Sequence, residues 1–286
     1  MRNAMSIDLE EWFHPEILRG RFQTSEWSDL EPRAPQIVDR LLQILAASDV
    51  RATFFVLGWV AERHPDIVPR LVSAGHEVAS HGYVHAMITQ QTPEEFEADL
   101  SRSLDILRRQ SGQPVVGYRA PSFSVVRETL WAFDVMLQHG IEYDSSIYPV
   151  HHDRYGIPEA PRQPYRVARR EEQELWELPP PTLRIGNKNL PVAGGGYLRL
   201  LPYTVTRFAL RRLNATGIPG IVYTHPWEFD LSQPRVSLSL PKRLRHYTNV
   251  ARNEGKLRRL LQEFEFTTCH EVLQTVRPVI HQPVPA

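Results

Sequence analysis

Short apolar runs rich in β-branched and aromatic residues alternate along this chain with stretches whose apolar residues recur at helical spacing. Residues 4–8 read as a short strand ending in acids, and Ile37, Leu41, Ile44 and Leu45 mark the buried stripe of a helix. Residues 52–56 are a continuous apolar run of the kind covered on both faces in a parallel sheet. A helix carrying Ile67, Val68, Leu71 and Val72 takes Pro65 in its first turn and stops at Gly75, after which residues 76–79 predict the next strand. Thr92, Pro93, Glu94 and Glu95 supply the N-cap, proline and acidic first turn of a helix with Phe96, Leu100, Leu104 and Leu107 on one face. Residues 115–118 predict a strand that delivers Arg119, and a helix over 127–139 ends at Gly140.

The rhythm breaks between 149 and 202, where prolines, basic residues and the glycines 194–196 predict hairpins and loops. A helix over 202–216 and a strand over 220–224 restore it. The tail predicts a basic amphipathic helix over 253–264, a short strand over 265–268 and a helix over 271–276. Repeated β-then-α order predicts parallel strands with helices outside, in a barrel or an open doubly wound sheet. In either, polar residues at the carboxyl ends of the strands gather on one rim.

Composition narrows the function. The 286 residues are 42% hydrophobic and 23% charged, enough for a full core. Lys plus Arg and Asp plus Glu are equal at 33 each, so no net field draws the chain to nucleic acid. The single cysteine, Cys269, excludes an internal disulfide framework and reads as a small buried residue. No apolar run is long enough to span a membrane, and the N-terminal residues lack the apolar core of a signal peptide, which predicts a cytoplasmic protein.

The chemistry lies in the strand ends. His81 and His85 are four apart just after an apolar run, so one helical turn would turn both imidazoles toward one cation. Asp8, Glu10 and Glu11 follow the first strand, Arg119 a later one, and His225 the last. Two imidazoles and a carboxylate leave open positions on a metal, the composition of a catalytic site, with a further carboxylate as base and a further histidine as acid.

These residues resemble the motifs of the polysaccharide deacetylases of carbohydrate esterase family 4, from Ser6 to about Phe229. The Thr-Phe-Asp-Asp-Gly motif stands here as Ser6-Ile7-Asp8-Leu9-Glu10, the His-Ser/Thr-x-x-His motif as His81-Gly82-Tyr83-Val84-His85, Arg-x-Pro as Arg119-Ala120-Pro121, and the last strand end as Val222-Tyr223-Thr224-His225. The segments Ile7-Asp8-Leu9-Glu10-Glu11-Trp12-Phe13, Gly194-Gly195-Gly196-Tyr197-Leu198-Arg199 and Thr224-His225-Pro226-Trp227-Glu228 are similar, more narrowly, to deacetylases of bacterial exopolysaccharide and exosortase gene clusters. Leu9 stands where the family's second aspartate does, so the metal carboxylate shifts to Glu10 or Glu11. Strand alternation puts Glu10 on the side of Asp8.

The resemblance implies an irregular (β/α) barrel of about seven parallel strands over residues 1–230, with an insertion over 149–202 and a C-terminal extension over 231–286 packed on it. It implies a divalent metal, Zn2+ first with Co2+, Ni2+ or Fe2+ as alternatives, on Glu10, His81 and His85. Asp8 would be the base, aimed by Arg119 through a two-point contact, and His225 the acid. Tyr148, through its backbone N–H, with Trp12, Tyr197, Arg199 and Trp227 would meet the substrate. Asp144 or Glu177 would orient His225, and Glu11 would support the ligands. The implied reaction removes N-acetyl groups from the amino sugars of a bacterial polysaccharide. Hydrolysis of other amides of small metabolites, and a catalytically silent glycan-binding barrel, are the alternatives.

Overall fold

Strand β1 (Asn3–Leu9) sets the layering, because successive side chains leave a strand on opposite faces. Met5, Ile7 and Leu9 join the large apolar cluster under the helices. Ala4, Ser6 and Asp8 face the other way, Ala4 into a second apolar cluster and the two polar residues onto Arg119. The computed structural model describes residues 1–18 and 20–276.

The chain continues through α1 (Ala34–Ala46), β2 (Thr53–Val56), α2 (Gly58–Arg63), α3 (Ile67–Ser73), β3 (Glu77–Ser80), α4 (Pro93–Ser111), β4 (Gly117–Tyr118), α5 (Ala132–Gln138) and β5 (Tyr143–Asp144). Then come β6 (Tyr165–Arg170), β7 (Gln173–Glu177), β8 (Thr182–Ile185), β9 (Lys188–Pro191), α6 (Gly195–Leu200), α7 (Tyr203–Ala215) and β10 (Ile221–Thr224). Helices α8 (Leu240–Tyr247) and α9 (Val250–Glu263), strand β11 (Phe266–Thr267) and helix α10 (Cys269–Val276) complete it. Local chemistry accounts for the boundaries: Thr92 and Glu95 close a reciprocal capping box on α4, and Gly112 ends that helix in the left-handed conformation.

The main sheet runs β10-β1-β2-β3-β4-β5-β7-β6, with β11 also beside β1. Its seven strands from β10 to β7 are mutually parallel, and only β6 is antiparallel to its neighbour. The sheet curls, since Ala4, Phe55, Ala79, Tyr143, Trp176 and Ile221, from six different strands, meet in one inner cluster. Among the described residues no pairing joins β10 to β6 or β7, so the barrel is open on that side. Two hairpins form within 149–202, where hairpins and loops are expected, β6 with β7 and β8 with β9. Yet β7 also pairs with β5, so this part of the expected insertion is a wall of the barrel.

The tail decides which end is open. Cys269, Val272, Leu273 and Val276 of α10 fill the inner cluster, the Cys269 N–H donates to Thr53 Oγ1 at 2.7 Å, and the His270 N–H donates to Glu77 Oε2 at 3.1 Å. Thr53 and Glu77 begin their strands, so α10 plugs the amino end. The carboxyl end keeps its access.

Candidate active site

A cavity of about 490 Å³ opens at that carboxyl end, and Asp8, Glu10, His81, His85 and His225 all line it. Alternation beyond β1 carries Glu10 inward beside Asp8. The loop after β3 is not the helical turn that the histidine spacing suggested. Gly82 and His85 take positive φ, 76° and 54°, and Asp99 on α4 clamps the loop by accepting the Tyr83 N–H at 2.7 Å and the Val84 N–H at 3.1 Å. The result is nevertheless convergence, with the two imidazole centroids 5.3 Å apart.

One ligand atom each from Glu10, His81 and His85 lies within 4.8 Å of the other two. His81 Nδ1 is 2.7 Å from the Arg119 carbonyl oxygen, so the tautomer that donates there leaves Nε2 free to ligate. Glu10 Oε1 accepts the Trp227 indole N–H at 2.8 Å. Glu10 Oε2 is buried 2.8 Å from His85 Nε2, near enough that one cation would meet both. Burial lowers the His81 pKa to about 4, which keeps this imidazole neutral, the form that binds metals. Burial pushes the Glu10 carboxyl up, but His85, His225 and His81 outweigh it and hold it below the ordinary range. The donor set fits a divalent cation.

Arg119, fully buried, donates to Asp8 Oδ1 at 2.6 Å through the same Nη1 that meets Ser6 Oγ at 2.9 Å, while its other nitrogens bind Ser145. The expected two-point clamp is therefore a one-point contact, because serines take the remaining N–H groups. It leaves Asp8 Oδ2 facing His225 Nε2 at 3.7 Å. His225 Nδ1 stands 3.2 Å from Glu228 Oε2, and burial's downward pull on the imidazole is overcome by Glu228, Glu10 and Asp8, raising its pKa to about 9. Glu228 is itself buried and also receives Thr224 Oγ1 and Arg199 Nε.

Other expected site residues lie elsewhere or act differently. Trp12 is buried in an aromatic cluster with Phe13 and Phe22, its indole N–H on the Glu31 carbonyl, and does not line the cavity. Tyr148 does not line it either, its ring buried with Phe123, Val150 and Tyr223. Tyr197 and Trp227 do line it, the latter stacked 5.0 Å from His225. Arg199 touches the wall, but its guanidinium is spent on Glu228 and the carbonyls of Thr248 and Arg245. Glu11 caps α1 by accepting the Arg33 and Ala34 N–H groups, away from the ligands. Asp144 and Glu177 bond to each other instead of to His225. The partner of His225 is Glu228, three residues on, folded back by the short helical turn Pro226–Phe229. That spacing was the available signal.

The glycines do border the site. Gly194 (φ 115°) lies so close to Tyr223 that a Cβ would stand 2.2 Å from its ring, and Gly195 and Gly196 line the cavity.

Residues 28–143 match the family described as Polysaccharide deacetylase, and residues 145–274 match a domain of unknown function, DUF3473. A peptidoglycan deacetylase of Helicobacter pylori is 32% identical over 118 residues, 41% of this chain and 38% of that protein. A chitooligosaccharide deacetylase of Rhizobium leguminosarum bv. trifolii is 30% identical over 117 residues, 41% of this chain and 50% of its own. The matched stretch thus spans half or less of these curated relatives. Among solved structures, a protein of Mycobacterium smegmatis assigned to the polysaccharide deacetylases shares the fold at 19% identity and a TM-score of 0.63, over 99% of this chain and 96% of that one. An allantoinase shares it at 16% identity and 0.61, over 98% and 93%. Asp8 and Glu10 precede the first matched segment and His225 lies in the second, so the cavity is built from both and from the residues before them. The chain is thus similar to polysaccharide deacetylases over residues 28–143, a segment followed directly by the match to DUF3473.

Proposed function

We propose that this protein hydrolyses the N-acetyl group of an amino sugar in a glycan, releasing acetate and a free amine. The observation that carries the reading is the facing of Asp8 Oδ2 and His225 Nε2 across 3.7 Å, beside the Glu10, His81 and His85 ligand set. The peptidoglycan and chitooligosaccharide deacetylases among its relatives support the bond type. Bacterial exopolysaccharide is the substrate class that the motifs at both ends of the site favour.

A divalent cation held by Glu10, His81 and His85, of the zinc class with cobalt, nickel or iron as alternatives, would supply Lewis acidity to the amide carbonyl and to water. Asp8, aimed by Arg119, takes the proton of the attacking water on Oδ2. As the C–N bond breaks, protonated His225 gives its Nε2 proton to the amine nitrogen, while Glu228 holds Nδ1 and stabilises the imidazolium. Trp227 orients Glu10 through its indole N–H and flanks His225. Tyr197 is proposed to meet the sugar on the cavity wall.

The test is acetate release by metal-loaded protein from N-acetylated chitooligosaccharides and bacterial exopolysaccharide, with allantoin as the competing amide. Acetate from a glycan, abolished by a chelator and restored by metal, supports the reading. Turnover of allantoin alone, or activity indifferent to chelation, overturns it.

A further inference from the structure

Helix α8 is turned the wrong way round for a helix that only covers a core. Its leucines Leu240 and Leu244 are 58% and 55% exposed, whereas Pro241, Lys242, Arg245 and His246, one stripe at helical spacing, line the cavity. An ordinary amphipathic helix would bury the leucines against the core; in α8 the leucines and the cations Lys242, Arg243 and Arg245 are exposed alike, and the buried residue is His246. Here the basic side is aimed at the substrate space.

Arg154 adds a third cation to the same wall. It and Arg245 converge on His152, whose pKa burial lowers and both guanidiniums lower further, against the opposite pull of Asp153. Against these three cations the outer cavity offers one carboxylate, Glu16, 3.9 Å from Arg154. Asp8 and Glu10 lie deeper, bound up with Arg119 and with His85. Lys242 and Arg245 have no acidic partner among the described residues. In a chain with equal numbers of acids and bases, this local excess is a feature of the mouth and not of the composition.

We propose that the glycan acted on is anionic, with a carboxylate-bearing sugar next to the N-acetyl sugar, and that Lys242, Arg245 and Arg154 bind that carboxylate. The inference rests on the deacetylase reading, which puts the acetamide at the cavity floor and therefore the neighbouring sugar at the rim. Apolar Ile17, Met87 and Leu200 on the same walls suit sugar faces, and the rim cations supply what a neutral glycan would not use. Exposed cations act over roughly a Debye length, about 8 Å at physiological salt, so the preference is ionic-strength dependent.

The experiment uses the metal-loaded full chain and a tetrasaccharide alternating N-acetylglucosamine with glucuronate, beside its methyl ester, which has the same linkages without the charge. Both Kd and acetate release are measured, and an N-acetylmuramic-acid disaccharide and its ester form a second arm that separates a lactyl from a uronate carboxylate. The acid form of at least one pair should bind about tenfold more tightly than its ester at low salt, with the gap shrinking as salt rises. Lys242→Glu with Arg245→Glu should erase or invert that ratio, and Lys242→Gln alone should reduce it. Equal Kd for acid and ester in both pairs would overturn the proposal. Preferential binding of the acid with no acetate from any probe would instead count against the deacetylase reading while leaving anion recognition standing.

Discussion

Two pairs of carboxylates stand on the rim of this barrel, equally buried and differently surrounded. Asp8 and Glu10 follow β1, and Asp144 and Glu177 end the adjacent parallel strands β5 and β7 in direct register. Around the first pair are Arg119, His81, His85 and His225, and both acids line the cavity. The second pair meets mainly Ser146, the Ile147 N–H and itself, walled off from the cavity. Burial raises the Asp144 pKa to about 6, and burial together with Asp144 holds Glu177 well above its usual range, so the pair keeps a proton between its two otherwise unpartnered oxygens. Burial alone does not make an acid functional. The cations and imidazoles around it decide whether it holds a proton as a strut or offers charge to a reaction.

Substitutions can break this contrast. Asp8→Asn should cost about 10²- to 10⁴-fold in acetate release with metal content kept, the usual worth of a positioned base. Equal loss in Asp144→Asn, measured on folded protein, would erase the distinction between the pairs. Glu10→Gln should weaken metal affinity by about 10²-fold or more, read by titration with a competing chelator, and excess metal should restore part of the activity. His225→Ala should lower turnover by about 10²-fold while elemental analysis finds the metal in place.

Glu228→Gln sharpens the contrast, since it removes a buried charge that touches His225 but no reacting atom. A loss of about tenfold in turnover at unchanged metal content is expected. The smallest effect belongs to Glu177→Gln. Asp144 holds its proton to about pH 6 when folded, against 3.8 for an ordinary aspartate, so its stabilising contribution is full below about pH 4 and lost as pH rises through 6. Glu177 keeps its proton beside Asp144 and a neutral amide does the same at any pH, so the fall in Tm at alkaline pH, where Glu177 would ionise, should flatten by about 2–4 °C while the fall between about pH 4 and 6 remains. A variant that lost turnover instead, at normal Tm, would place Glu177 in the chemistry.

Much of this arrangement was legible before any coordinate. Strand period and β-then-α order place Asp8, His81, Arg119 and His225 on one rim, because parallel strands bring all their carboxyl ends to the same side. The same alternation puts Glu10 beside Asp8 and turns Glu11 away, where it caps α1. Other features had no local signature. His81 and His85 converge through left-handed backbone and an Asp99 clamp, not through a helical turn. Trp12 reads as a sugar platform yet is buried among aromatics, and α8, whose basic side forms the cavity rim, was not foreseen at all.

The sequence by itself determined the parallel architecture, the rim and most of the polar groups delivered to it, since each follows from the period of a few neighbouring residues. Only the tertiary structure decided which of those groups meet. Trp227 reaches Glu10 across 217 residues of sequence, and Arg199 spends its guanidinium on carbonyls almost fifty residues away. Periodicity says which face of an element is buried. What a buried polar group finds there depends on how distant elements pack, because its hydrogen bonds must be satisfied by whatever that packing brings within reach.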